Sequence, residues 1–158
     1  MAPKELRQIK KEIRILGVAA RRESKGITII GVVYRGSLWL DGVLRTHSES
    51  DNITQAIAEM LTSSPHSGQV RVILLSNDKL PPGTIVSPAE LFAGTGKPVI
   101  ILGEEEFKWK KGGETVSYHA EGLGRWSAED VLNMSTREGV IPEAIRVSAL
   151  TLSALPDG

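Results

Sequence analysis

The sequence contains no cysteine. Disulfides, thiolate metal sites and a cysteine nucleophile are therefore excluded. It also lacks a surplus of either charge, with 19 Lys and Arg against 19 Asp and Glu. A protein drawn to nucleic acid by its global field carries a basic excess, so such a role here needs a local patch. No apolar run approaches the roughly 20 residues that a membrane span requires. The opening stretch MAPKELRQIKKEIRILG is charged and has no apolar signal-peptide core. The expectation from these absences is a cytoplasmic protein with no membrane partner.

What is present is globular. The chain has 158 residues, of which 41% are hydrophobic, enough for one domain with a core. No repeat, low-complexity tract or linker interrupts it, so residues 1–158 are expected to form a single domain. Lys4 to Glu12 reads as a short helix or ordered arm. Ile13 to Ala19 is a compact apolar strand, and the polar Ala20 to Gly26 reads as a turn. Ile27 to Arg35 and Leu38 to Thr46 follow as strands, and three strands on short turns are antiparallel neighbours.

The period then changes. Ile53, Ile57, Met60 and Leu61 lie at helical spacing over Asp51 to Ser63, with Asp51 or Asn52 as cap. Val70 to Leu75 is a continuous apolar strand, the kind buried on both faces beside a parallel neighbour. Ser76 to Val86 is a loop. Ser87-Pro88 opens a short helix, and Lys97 to Leu102 is another strand. Phe107 to Lys110 and Thr115 to His119 predict a surface hairpin. Ser127 reads as a cap for a helix to about Thr136, and Pro142 opens a last helix bearing Ile145, Ala149 and Leu152. Three antiparallel strands followed by alternating helices and parallel strands give an α/β, ribonuclease H-like mixed sheet with helices on both faces.

Six segments carry a resemblance: Ile13 to Gly17, Gly31 to Gly36, Trp39 to Val43, Gln69 to Leu75, Thr95 to Ile100 and Ile141 to Val147. In that order they resemble an archaeal, endonuclease V-like family of domains of unknown function, number ninety-nine (UPF0215-type). The resemblance implies a ribonuclease H-like fold with strand-end carboxylates around a divalent metal. Such a metal activates water and balances charge in phosphodiester hydrolysis, and magnesium needs at least one or two carboxylates. Against that pattern, Ala19-Ala20 stand where the family has paired aspartates. Ser76, Ser87 and Asn52 stand at further aspartate positions, and Ala149 at a histidine position. The segment after Leu102 is shorter than in the family.

This sequence therefore reads as a catalytically degenerate relative with no catalytic residue, no metal and no cofactor. The alternative is an active nuclease using magnesium or manganese at a displaced site built from Glu49, Asp51 or Asp78. Glu104-Glu105-Glu106 reads as a solvated run, and His47, His66 and His119 lack metal-ligand spacing. Arg21, Arg22 and Lys25 place cations beside the altered strand end and, with Arg35, are the candidate nucleic-acid-binding residues. Lys4, Arg7, Lys10, Lys11 and Arg14 could extend that patch. Arg35, Asp41, Glu143 and Arg146 also read as Arg–carboxylate locks between sheet and last helix. A third reading is a scaffold that meets a protein partner or a second copy through exposed Trp109 and Trp126.

Overall fold

The computed structural model describes residues 12–156. The expected arm at Lys4 to Glu12, with Lys4, Arg7, Lys10 and Lys11, lies outside them except for its last residue. The chain runs β1 (Arg14–Arg22), β2 (Ile27–Arg35), β3 (Trp39–Ser48), α1 (Thr54–Thr62), β4 (Val70–Ser76), a 3-10 turn (Asn77–Lys79) and α2 (Pro88–Thr95). It continues through β5 (Val99–Lys111), β6 (Glu114–Glu121), α3 (Arg125–Ser135) and α4 (Glu143–Ala154).

The six strands form one sheet in the order β3-β2-β1-β4-β5-β6. β1 to β3 are antiparallel neighbours. β4 lies parallel to β1 and to β5, and β6 returns antiparallel along β5. The mixed α/β sheet is the one the element order implied.

Side-chain alternation divides the core into two layers. Ile15 and Ala19 of β1 join Val72 and Leu74 of β4 under α3 and α4. Leu16, Val18 and Ala20 join Ile73 and Leu75 under α1 and α2. A strand buried on both faces reads as a continuous apolar run, which is why β1 and β4 are legible in the sequence. α4 lies hard against β1 at Gly17, where an added Cβ would come 2.3 Å from the Ala144 carbonyl carbon.

Four local expectations are corrected. The first turn is shorter than Ala20 to Gly26, because Ala20, Arg21 and Arg22 stay in the ladder opposite Ile29, Thr28 and Ile27. Only Glu23 to Gly26 turn, closed by the Glu23 amide donating to the Gly26 carbonyl at 2.8 Å. Gly26 supplies the positive φ of 87° that this turn requires. α1 is capped at Ile53 without a side-chain bond. Asn52 Oδ1 instead accepts from the Thr54 amide, and Asp51 turns away to Arg22.

α3 starts at Arg125 with Gly124 as cap, so Ser127 falls inside its first turn, where it is buried. The hairpin keeps its expected register, Phe107 opposite Tyr118 and Lys110 opposite Thr115. It is not a separate surface feature, since β5 runs on from Val99 with a register shift between Leu102 and Phe107. Trp109 is 1% exposed, with its indole N–H on Asn133 Oδ1 at 2.9 Å. Ser87 does cap α2, accepting from the Glu90 amide.

Candidate functional site

The parallel pairing of β1, β4 and β5 stops at one level, where β4 ends at Ser76 while β1 and β5 run on. Val18 lies opposite Leu75, Leu75 opposite Ile101, and Ser76 opposite Leu102. Ala19, the next residue of β1, therefore flanks Ser76 at this edge. Ala19 is fully buried on the α4 side, and Ala20 is buried on the α1 side.

The polar groups at the edge are tied to one another. Ser76 Oγ donates to Asp78 Oδ1 at 2.5 Å. Asn77 Nδ2 donates to Glu104 Oε1 at 3.2 Å. A pocket of about 460 Å³ opens beside them, lined by Asn77, Glu104 and the loop from Leu80 to Val86.

The fit to a divalent cation is poor. Such an ion takes oxygen ligands with at least one carboxylate among them, and Ala19 offers a methyl group. Among the described residues, no three His, Asp or Glu side chains converge as a metal-holding group. Asp51 is paired with Arg22, and Asp78 with Ser76. Glu49 lines a separate depression of about 800 Å³ with His47, Gln55, Glu59 and Glu90.

The candidate cations occupy two ends of the sheet. Arg21 points to the α4 face, as Ala19 does, two residues along the strand. Its Nη1 donates to the Leu152 and Leu155 carbonyls at 2.7 and 3.1 Å, and Nη2 to the Pro156 carbonyl at 3.1 Å. Glu23 holds the same guanidinium at 2.7 Å. A cation at a helix C-terminus meets the negative end of the helix dipole and satisfies its free carbonyls. Arg22 points to the other face, to Asp51 Oδ1 at 2.9 Å and the Pro82 carbonyl at 3.1 Å. Lys25 is exposed at the tip of the same turn.

Arg35 is elsewhere. It pairs in register with Arg14 at the start of β1, and eight residue steps put that roughly 26 Å from Arg22. Its Nε donates to Asp41 Oδ2 at 2.7 Å, and its guanidinium lies 5.3 Å from the Trp39 ring centroid. Arg14 reaches the same carboxylate at 2.9 Å. The hydrogen bond from Arg35 holds the Asp41 carboxyl below the usual carboxylate value, with Arg14 adding to it and burial opposing. Glu143, nearly buried, is clamped by Arg146 at 2.7 Å. The Arg–carboxylate locks thus close within the first sheet strands and within α4 separately. They do not join sheet to helix, and Arg21 makes that link.

His119 lies between Glu106 and Glu121, at 3.3 and 3.0 Å. The Tyr118 hydroxyl is pushed well above the usual phenol range, by burial first and then by its bond to Glu129. Of the two tryptophans read as exposed, only Trp126 is, at 68%. The sequence reading also missed the apolar exposure of Leu38 in the turn before the edge strand β3 and of Trp39, Leu40 and Val43 on it. Its signal was an apolar Leu-Trp-Leu run beside a charge, which reads equally well as a buried strand.

Comparison with known proteins agrees with this architecture. The chain is 29% identical over 182 aligned positions to a UPF0215 protein of Methanosarcina acetivorans, covering 93% of this chain and 92% of that one. That alignment is longer than the 158-residue chain, so the relative carries segments this chain lacks. A UPF0215 protein of Methanosarcina barkeri is 34% identical over 123 residues, 75% of this chain and 63% of the relative. A crystal structure of a protein of unknown function from Archaeoglobus fulgidus superposes with a TM-score of 0.74 at 22% identity, over 89% of this chain and 96% of that one. Endonuclease V from Bacillus subtilis superposes with a TM-score of 0.60 at 10% identity, over 94% and 84%. Both likenesses establish the fold. The sequence model of the family described as endonuclease dU matches residues 11–111, well over half of the sequence, and the chain belongs to that family.

Proposed function

We propose that this chain is a single endonuclease V-like domain that has lost metal-dependent strand cleavage and binds nucleic acid at its strand-end surface. The observation that carries the reading is buried Ala19 beside Ser76, one residue past the last β1–β4 pair, where β4 ends. Hydrolysis of a phosphodiester in this fold needs negative charge there to gather a cation. A methyl, a hydroxyl already donated to Asp78 and the Arg21 guanidinium supply none.

Binding falls to the cations with a free approach. Arg22 is 45% exposed, and Lys25 stands beside it on the turn. The Arg22 guanidinium bonds Asp51 near the solvent, and exposed pairs of this kind exchange partners at little cost. A phosphate can replace the carboxylate. Arg35 belongs with the Asp41 lock at the far end and is set apart from this surface.

A second reading rests on one observation. Asp78 lies just past the end of β4 and Glu104 two residues past the last β4–β5 pair, held by Ser76 and Asn77. Two carboxylates with bound water satisfy magnesium's minimum, which would give an active nuclease with displaced ligands. Titration of magnesium and manganese against strands containing deoxyuridine or inosine separates the two readings. Scission that rises with the cation supports the second, and binding that weakens steeply with salt, without scission, supports the first.

A further inference from the structure

Trp126 is the most exposed large apolar side chain among those described. Leaving an indole in water forgoes a large burial gain, so its setting calls for explanation. The Arg125 guanidinium lies 5.0 Å from its ring centroid. That guanidinium is itself fixed, with Nε on Glu129 Oε2 at 3.0 Å and the Phe107 ring 5.7 Å away. Glu129 in turn accepts from the buried Tyr118 hydroxyl at 2.6 Å. The ring thus has a cation anchored beside it and a large free surface.

Its place in the sheet matters. Tyr118 lies opposite both Leu102 and Phe107, and Leu102 lies opposite Ser76. Two strand spacings, about 10 Å, therefore separate the Tyr118 anchor from the strand end of β4. Trp126 also falls outside residues 11–111, the stretch matched by the family.

We propose that Trp126, steadied by Arg125, is a stacking platform for an unpaired base of single-stranded nucleic acid running across the strand ends. The proposal rests on the nucleic-acid reading above. An aromatic face accepts any base, and a neighbouring arginine adds cation–π attraction. A protein contact would want an apolar surround. Here the flanking exposed residues are Arg125 and Asp130, with Glu129 already engaged. Asp130, one helical turn on, repels phosphate, so a base and not the backbone meets the ring.

The test uses the full chain and a labelled single-stranded oligothymidylate. Trp126→Ala should weaken binding roughly 5- to 150-fold while leaving the salt slope unchanged, because stacking releases no counterions. Trp126→Phe should recover part of the loss, and both variants should keep the wild-type melting temperature. If wild type binds and Trp126→Ala binds equally well, the platform is overturned and the nucleic-acid reading stands. If wild type does not bind, both fall. Loss in Trp126→Ala of a concentration-dependent dimer, with oligonucleotide binding intact, would overturn the platform in favour of a protein contact.

Discussion

The Arg21 guanidinium donates to the Leu152 carbonyl at 2.7 Å across 131 residues of chain. The bond ties the end of α4 to the end of β1. It also fixes a positive charge on the same strand face as Ala19, where a nuclease of this fold would gather carboxylates.

Removing that tie should cost stability before it costs binding. Arg21→Ala removes the charged donor shared by the Leu152, Leu155 and Pro156 carbonyls, a loss of about 1–3 kcal/mol. Urea denaturation should show a lower midpoint with an unchanged slope. Oligonucleotide affinity should change little at temperatures where the variant stays folded. An unchanged midpoint would mean that the cap is not formed in solution.

Arg22→Glu should do the opposite. Its surface pair with Asp51 contributes little to folding, so stability should hold nearly constant. Affinity for nucleic acid should fall, and the salt slope should shrink by about one phosphate contact. Binding measured from 50 to 200 mM salt checks this. A slope equal to wild type would remove Arg22 from the surface.

Gly17→Ala should be severe. The added methyl would press into the Ala144 carbonyl at 2.3 Å, and neither backbone can yield freely. Overpacking of this kind costs about 1–3 kcal/mol and sometimes more. The melting temperature should fall by several degrees. A change within error would mean that α4 stands further from β1.

Acid should reveal the Asp41 lock. Its folded carboxyl value lies below the ordinary 3.8, chiefly through Arg35. A lowered folded value stabilises the protein above the unfolded value, and that share is lost as pH falls through the folded one. Wild type should therefore lose more stability between pH 5 and strongly acid solution than Asp41→Asn does. Parallel curves would contradict the assignment.

Much of the sheet was legible because buried central strands carry unbroken apolar runs. Val70 to Leu75 announced a parallel strand, and the chain delivered one between β1 and β5. The polar extension of β1 was not legible. Arg21 and Arg22 look like a turn until α4 and the Pro82 loop arrive from distant sequence to receive them. β5 was hidden for a similar reason, since Glu104 to Glu106 read as solvated charge although the strand runs through them.

Trp109 could not be placed either, because its burial depends on Asn133 of α3. At the site, residue identities at Ala19 and Ser76 were readable at once. The separation of Arg35 from Arg22 was already implied by reading β1 and β2 as antiparallel neighbours, and the nine pairs of the ladder fix it.

The central claim is a strand end unable to gather a catalytic cation. Incubating purified full-length protein with a deoxyuridine-containing strand over a range of manganese concentrations tests it directly. The account predicts a gel indistinguishable from the protein-free control at every concentration. Manganese-dependent scission that disappears in Asp78→Asn or Glu104→Gln would contradict it.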